Sequence, residues 1–260
     1  MSEADEITVL DTGSTDGSVE KLAALGVRVK SAVVSPWRFD VARNLSLATV
    51  AEDADVCVCT DLDEVFEPKW REKIEKAWKA GVTRGRYRYV WSHDGERAGV
   101  EFLADKIHAR RGYRWINPVH EVIVPDGAEK SAVIDGLTLH HYPDPSKSRA
   151  AYLPLLELAV SEDPNNDRNA HYLGREYYFR GMYDKAIKEL SRHLALPSAV
   201  WREERAASMR YIAASYRALG NSPEAEKWYV RAYLESPDSR EPAFDYARML
   251  YAEGNYAGAV

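Results

Sequence analysis

The sequence predicts an α/β domain over residues 1–145, followed by an all-α domain of helical repeats over residues 146–260. Three observations carry this reading. Short β-rich runs alternate with helical stretches up to residue 80. Aromatic and β-branched runs with turn signals then fill residues 85–142. After Pro143-Asp144-Pro145 breaks the chain, a spacing of glycine, alanine and tyrosine recurs to the end.

Taken in order, residues 6–11 read as a strand and 18–25 as a short helix closed by Gly26. Residues 27–34 are a second extended run, 39–52 a second helix and 55–60 a third strand. A helix follows over 68–80, with Pro68 at a favoured first-turn position. Such alternation is the pattern of a doubly wound sheet, whose ligands gather at the carboxyl ends of the strands. Asp11 and Asp61 both fall at such ends and are expected on one sheet edge. Over 85–142, Asp94-Gly95 and Asp126-Gly127 mark turns between strands expected to be antiparallel.

The second half repeats itself. Leu173, Gly174, Tyr177, Gly181, Tyr183, Ala186 and Leu190 set out a spacing that Ile212, Ala213, Tyr216, Gly220, Ala225 and Tyr229 take up again. Tyr246, Ala247, Leu250, Gly254, Tyr256 and Ala259 begin a third copy, which stops at Val260 before its second helix. This is the spacing of tetratricopeptide repeats. Small residues let paired helices approach, and the aromatics fill the groove between them. Tyr152, Leu156 and Ala159 fit the second helix of a leading repeat.

Composition narrows the function classes. A hydrophobic content of 45% and a charged content of 29% belong to an ordinary globular chain. The formal net charge of −6 speaks against a broad nucleic-acid-binding surface. No run is long and apolar enough for a membrane span, and no signal-peptide pattern opens the chain, so a cytoplasmic location is expected. The two cysteines, Cys57 and Cys59, share one strand without further ligands nearby for zinc, and read as core packing.

Two segments could do chemistry. Asp11-Thr12-Gly13-Ser14-Thr15-Asp16-Gly17-Ser18 follows a strand and opens a helix. Its glycines permit a sharp turn that presents N–H groups and carboxylates to a ligand; equally, Asp16 would serve as a helix cap. An aspartic protease would need a second such aspartate sharing a proton, and none is present. In Thr60-Asp61-Leu62-Asp63-Glu64, two carboxylates just past an apolar strand suit Mg2+ or Mn2+, hard cations that bridge phosphate oxygens. The plain alternative is a solvated acidic loop, with Glu64 and Glu67 favouring the next helix N-terminus.

Together with residues 39–44 (Phe39-Asp40-Val41-Ala42-Arg43-Asn44), Asn117-Pro118-Val119-His120-Glu121 and His140-His141-Tyr142, these segments resemble the family 2 glycosyltransferases, in a subgroup that carries a tetratricopeptide tail. The resemblance covers roughly the first 145 residues. It implies a GT-A, Rossmann-like fold and inverting transfer of a sugar from a nucleotide-sugar, most often a UDP-sugar. The family opens with a further strand and helix, while ten residues precede Asp11 here, so the domain is expected to lack its first strand.

By the resemblance, Asp11 and Asp16 serve the nucleotide-sugar, Asp61 the nucleotide and the metal, and Asp63 the Mn2+ or Mg2+ ion. Arg43 lies where a guanidinium can offset diphosphate charge by bidentate contact; a helix-surface arginine is the plain alternative. Trp37 either shapes the pocket or packs. His141 matches a late histidine that completes metal coordination, although His140 beside it points to the opposite face and leaves the assignment open. Glu121 is the candidate base, accepting the acceptor's proton as it attacks; a surface ion pair is its plain alternative. The expected acceptor is a protein or peptide, a lipopolysaccharide-core sugar or another glycan. The repeats offer tyrosines such as Tyr172, Tyr178 and Tyr211 to an acceptor or to a second copy of the chain. A non-catalytic scaffold built on a decayed transferase domain is the alternative from another class.

Overall fold

The computed structural model describes residues 3–95, 97–144 and 151–259. The chain divides into two compact units, Met1–Ser148 and Arg149–Val260.

The first unit begins with β1 (Thr8–Asp11), α1 (Ser18–Ala24), β2 (Arg28–Ser31), α2 (Phe39–Ala48), β3 (Val56–Val58), β4 (Glu64–Phe66) and α3 (Trp70–Ala77). It continues with β5 (Arg84–Val90), β6 (His93–Asp94), β7 (Arg97–Ala98), β8 (Glu101–Ala109), β9 (Tyr113–Ile116), β10 (Val122–Pro125) and β11 (Ser131–His141). Five strands form the main sheet in the order β3-β8-β5-β11-β4. Its core is Tyr87, Tyr89, Ile107, Ile134, Leu137 and Leu139, with Ile74 of α3 packed on it. Burying large apolar side chains in this way is the main source of stability, on the order of 2 kcal/mol for each.

The structure corrects the expectation of one doubly wound sheet. β1 and β2 pair in parallel as a separate two-stranded sheet, and β3 pairs with β8 in the main one. Asp11 and Asp61 therefore do not end strands of the same sheet. The region after residue 85 is not purely antiparallel either, because β11 runs parallel to β5 and antiparallel to β4. Asp94-Gly95 lies between the antiparallel strands β6 and β7 as expected, whereas Asp126-Gly127 follows β10 without joining paired strands. Pro68 stands outside α3: Lys69, at φ 64°, is the N-cap residue and the helix starts at Trp70. The expected third strand is shorter than read, ending at Val58, and beyond it the Cys59 N–H still donates to the Lys106 carbonyl at 3.0 Å. Cys57 is buried and both thiols are free, with Val56 and Val58 packed against the core.

The second unit is all-helical in its described residues: α4 (Tyr152–Glu162), α5 (Asp167–Phe179), α6 (Tyr183–Ala195), α7 (Arg202–Ala218), α8 (Ser222–Glu235) and α9 (Arg240–Ala252). The recurring glycines explain the helix ends. Gly181, Gly220 and Gly254 all have φ between 71° and 81°, the left-handed conformation that glycine adopts without Cβ strain. After each, the next residue's N–H returns to a carbonyl near the helix end: Met182 to Tyr177, Asn221 to Tyr216 and Asn255 to Leu250. Ala186, Ala213, Ala225 and Ala232 are fully buried where helices meet. Among the described residues no helix is long and apolar enough to cross a membrane.

Candidate active site

Helix α2 is docked onto the 115–121 segment by its own first residues. The Phe39 N–H donates to the Pro118 carbonyl at 2.9 Å. Asn44 closes a two-way clamp on Trp115, donating from Nδ2 to its carbonyl at 2.8 Å and accepting its N–H at 2.9 Å. Asp40, nearly buried, receives a bidentate pair from Arg38 at 3.0 and 2.9 Å. Asn117 and His120 adopt positive φ of 77° and 52°, uncommon for residues with a Cβ. This bent loop brings Glu121 back towards α2.

Arg43 is thereby aimed at two carboxylates. Its Nε donates to Glu121 Oε1 at 3.0 Å and its Nη2 to Asp61 Oδ1 at 2.6 Å, while its guanidinium lies 5.2 Å over the Trp115 ring. Lys106, from β8, reaches Asp61 Oδ2 at 3.4 Å and Glu64 Oε1 at 3.0 Å. Partial burial acts to raise the Asp61 carboxyl, but Lys106 and Arg43 outweigh it and hold Asp61 below the ordinary aspartate range. For Lys106 burial works the other way, and Asp61 and Glu64 overcome it to keep the ammonium charged.

Glu64 organises the turn. Its side chain is 1% exposed. It accepts the Asp61 N–H at 2.8 Å, the Tyr89 hydroxyl at 2.7 Å and the Lys106 ammonium. Burial and this bond push the Tyr89 phenol up, so it remains a donor. Glu64 is thus a strand residue locked in a network, and it does not favour a helix N-terminus.

The turn between β3 and β4 sends the two aspartates different ways. Asp61 meets the cations, whereas Asp63 Oδ2 lies 3.9 Å from His141 Nε2. His141 Nδ1 donates to the Trp91 carbonyl at 3.1 Å. That bond places a proton on Nδ1 and turns Nε2 towards Asp63. His140 points elsewhere, to Glu67 at 3.2 Å and His93 at 3.1 Å. Asp61, Asp63 and His141 do not gather within 4.8 Å as a trio; among the described residues the one such group of three is Asp167, His193 and Glu204, in the second unit.

Asp11 and Asp16 bond within their own loop. Asp11 accepts from the N–H groups of Gly13 and Ser14, both at 3.1 Å. Asp16 accepts from the N–H and hydroxyl of Ser18, but it is not the helix cap expected of it: Gly17, at φ 76°, holds the N-cap position of α1. Trp37, Phe39, Ala42, Arg43, Ser46 and Asp61 line a shallow pocket of about 210 Å³. Lys106, Tyr89 and the structural role of Glu64 escaped the sequence reading. A lone lysine within residues 101–109 gives no local signal, because only strand pairing brings it beneath Asp61.

With this geometry in hand, residues 2–121 match the family described as "Glycosyl transferase family 2". No curated protein matches the chain. Among solved structures, the crystal structure of MamA is similar at 18% identity and a TM-score of 0.36, over 41% of this chain and 60% of that one. Pseudomonas aeruginosa PilF is similar at 18% identity and a TM-score of 0.37, over 41% of this chain and 46% of that one. The N-terminal domain of stress-induced protein-1 from C. elegans gives 12% identity and 0.34, over 37% of this chain and 76% of that one. The chain thus spans 60% or less of the MamA and PilF structures.

Proposed function

We propose, from the match of residues 2–121 to glycosyl transferase family 2, that the first unit transfers a sugar from a nucleotide-sugar, a UDP-sugar in the first instance, with inversion at the anomeric carbon. The observation that carries the reading is the division of labour in one short turn. Asp61 stands with Arg43 and Lys106, and Asp63 stands with His141.

In an inverting displacement, the acceptor oxygen attacks the anomeric carbon opposite the departing diphosphate and loses its proton to a base. Glu121 is that base. Its partner Arg43 can turn from the carboxylate to diphosphate oxygens, which a guanidinium binds in the same forked geometry. Lys106 continues to hold Asp61 while this exchange takes place. Asp11 and Asp16, on their glycine-rich loop, are assigned to the nucleoside side of the donor.

The donor chemistry fits a divalent ion: a carboxylate oxygen and an imidazole lone pair, held by a backbone acceptor behind the ring. Asp63 and His141 would hold Mn2+ or Mg2+, with Asp61 at its margin. When bound, the ion would neutralise charge on the leaving group. We place the reaction in the cytoplasm. A protein, peptide or glycan is the acceptor, with the helical unit as its docking surface or as a contact between copies.

One observation favours a second reading. Arg43 already satisfies both Asp61 and Glu121, which is what a binding scaffold on a decayed transferase domain would also display. Donor hydrolysis and binding across a nucleotide-sugar panel, with and without Mn2+, separates the two. Metal-dependent turnover lost in Asp63→Ala and Glu121→Gln supports the enzyme. Absence of binding to every donor supports the scaffold.

A further inference from the structure

The second unit holds a cluster that the sugar-transfer reading does not use. Asp167 lies in the first turn of α5, His193 in the last turn of α6 and Glu204 in the first turn of α7. One ligand atom from each lies within 4.8 Å of the others. The ends of these helices are already stitched together nearby: Arg205 donates to the carbonyls of Leu194 and Ala199, both at 3.1 Å, and Ser198 Oγ donates to that of Asn165 at 3.1 Å.

His193 is the telling member. Its side chain is fully buried, and its Nε2 makes no hydrogen bond although Glu204 Oε1 is 3.5 Å away. A buried polar atom left in this state costs on the order of 1–3 kcal/mol. Its other nitrogen, Nδ1, lies 2.9 Å from Ser208 Oγ, which is itself 2.7 Å from His171 Nδ1. One hydroxyl carries one proton, so Ser208 donates to one ring and accepts from the other. When Ser208 donates to His171, His193 donates from Nδ1 and its Nε2 keeps a buried lone pair facing two carboxylates. In that arrangement three acceptors face one point, and a cation between them removes the repulsion; in the opposite arrangement Nε2 carries its proton towards Glu204.

We propose that Asp167, His193 and Glu204 bind a divalent transition-metal ion, with zinc as the reference, that clips α5, α6 and α7 together. Imidazole nitrogen with two carboxylates is a zinc donor set, and three protein ligands leave a further position for water or a ligand. Two ionised carboxylates match the charge of the ion. Ser208 is a positioning residue: it fixes the His193 tautomer and aims Nε2, as outer hydrogen bonds do for zinc-bound histidines. The solvent-facing edge is at Asp167 and at Glu204, whose side chain is 12% exposed.

The test uses the full chain, stripped with chelator and titrated with ZnCl2 by calorimetry, with CoCl2 spectra as a second readout. The Asp63→Ala background removes the proposed first-unit site, so the two sites are counted separately. The expected result is one equivalent of zinc retained in Asp63→Ala and lost in Glu204→Gln and His193→Gln, with unchanged far-UV dichroism. Ser208→Ala should weaken binding roughly 10–100-fold. If His193→Gln unfolds the helices, Glu204→Gln and Asp167→Asn, both on partly exposed positions, carry the test. Zinc uptake equal to wild type in those two variants, or no uptake by Asp63→Ala, overturns the proposal and leaves His193 and Glu204 as a plain ion pair.

Discussion

Replacing Arg43 with methionine is the sharpest probe of the first unit, because it withdraws one cation from two carboxylates while keeping much of the side-chain volume. Exposed ion pairs contribute less than about 1 kcal/mol, and breaking a buried one costs about 3–5 kcal/mol. Arg43 is 21% exposed, Glu121 14% and Asp61 39%, which places the Glu121 contact near the buried limit and the Asp61 contact near the exposed one. Asp61 also keeps Lys106 at 3.4 Å. Arg43→Met is therefore expected to destabilise the unit by about 3 kcal/mol. Glu121→Gln retains an amide oxygen for Arg43 and should cost about 1 kcal/mol. In the double variant, no charge is left stranded at position 121, so the two losses should fall short of their sum by about 1–2 kcal/mol. Urea unfolding followed by tryptophan fluorescence measures all three, and Trp115 lies directly under the guanidinium. A loss below about 0.5 kcal/mol for Arg43→Met with no coupling to Glu121 would refute the network as a partly buried unit.

Three further outcomes follow from the packing and charges. A Cβ at Gly174 would lie 2.5 Å from Leu190 Cγ and 3.2 Å from its backbone nitrogen. Gly174→Ala should thus lose about 1–2 kcal/mol, despite alanine's higher helix propensity; thermal melts that show stabilisation would contradict the close α5–α6 approach. Burial pushes the Cys59 thiol up to about 12, and Cys57 is 5% exposed, so neither should react with a thiol reagent at pH 8 until urea unfolds the chain. Because the folded-state pKa of Asp61 is lowered, its ionised form stabilises the fold above the ordinary aspartate value of 3.8. That contribution is lost as pH falls through the folded value. Asp61→Asn should flatten this acid limb of the stability profile measured by urea titration, and an unchanged limb would argue that Asp61 is solvated.

What the sequence made legible divides along a physical line. Glycines at the ends of α5, α7 and α9 could be read because a left-handed helix end has a chemical signature at one position. The alternation of strands and helices up to residue 80 could also be read, from local periodicity. Pairing could not. Nothing local in Thr8–Asp11 distinguishes a strand that joins the main sheet from one that pairs only with β2, and the parallel β5–β11 contact links residues more than forty positions apart. The same limit explains the site. Arg43, Asp61 and Glu121 stood out because they sit in recognisable segments, and Arg43 does join the other two. Lys106 and the locked Glu64 come from β8 and β4, which have β5 and β11 between them in the sheet, and no short motif records that their side chains meet.

The two aspartates of Asp61-Leu62-Asp63 show how this limit bears on function. Two carboxylates one residue apart just past a strand can both face one cation. Here the pair occupies the turn between β3 and β4, and local hydrogen bonds give its two carboxylates different neighbours. Glu64, held by Tyr89 and Lys106, takes the Asp61 N–H, and the Asp63 carbonyl takes the Tyr142 N–H at 2.7 Å. Both ends of the turn are thus pinned to different strands, and the side chains diverge. One carboxylate stands with two cations of the chain itself, Arg43 and Lys106, while the other lies 3.9 Å from the His141 imidazole. Asp61 therefore holds Arg43 and Lys106 in place, a task that Asp63, on the His141 side of the turn, does not share. The asymmetry arises from the hydrogen bonds of the turn, and it makes the roles of two chemically identical residues separable.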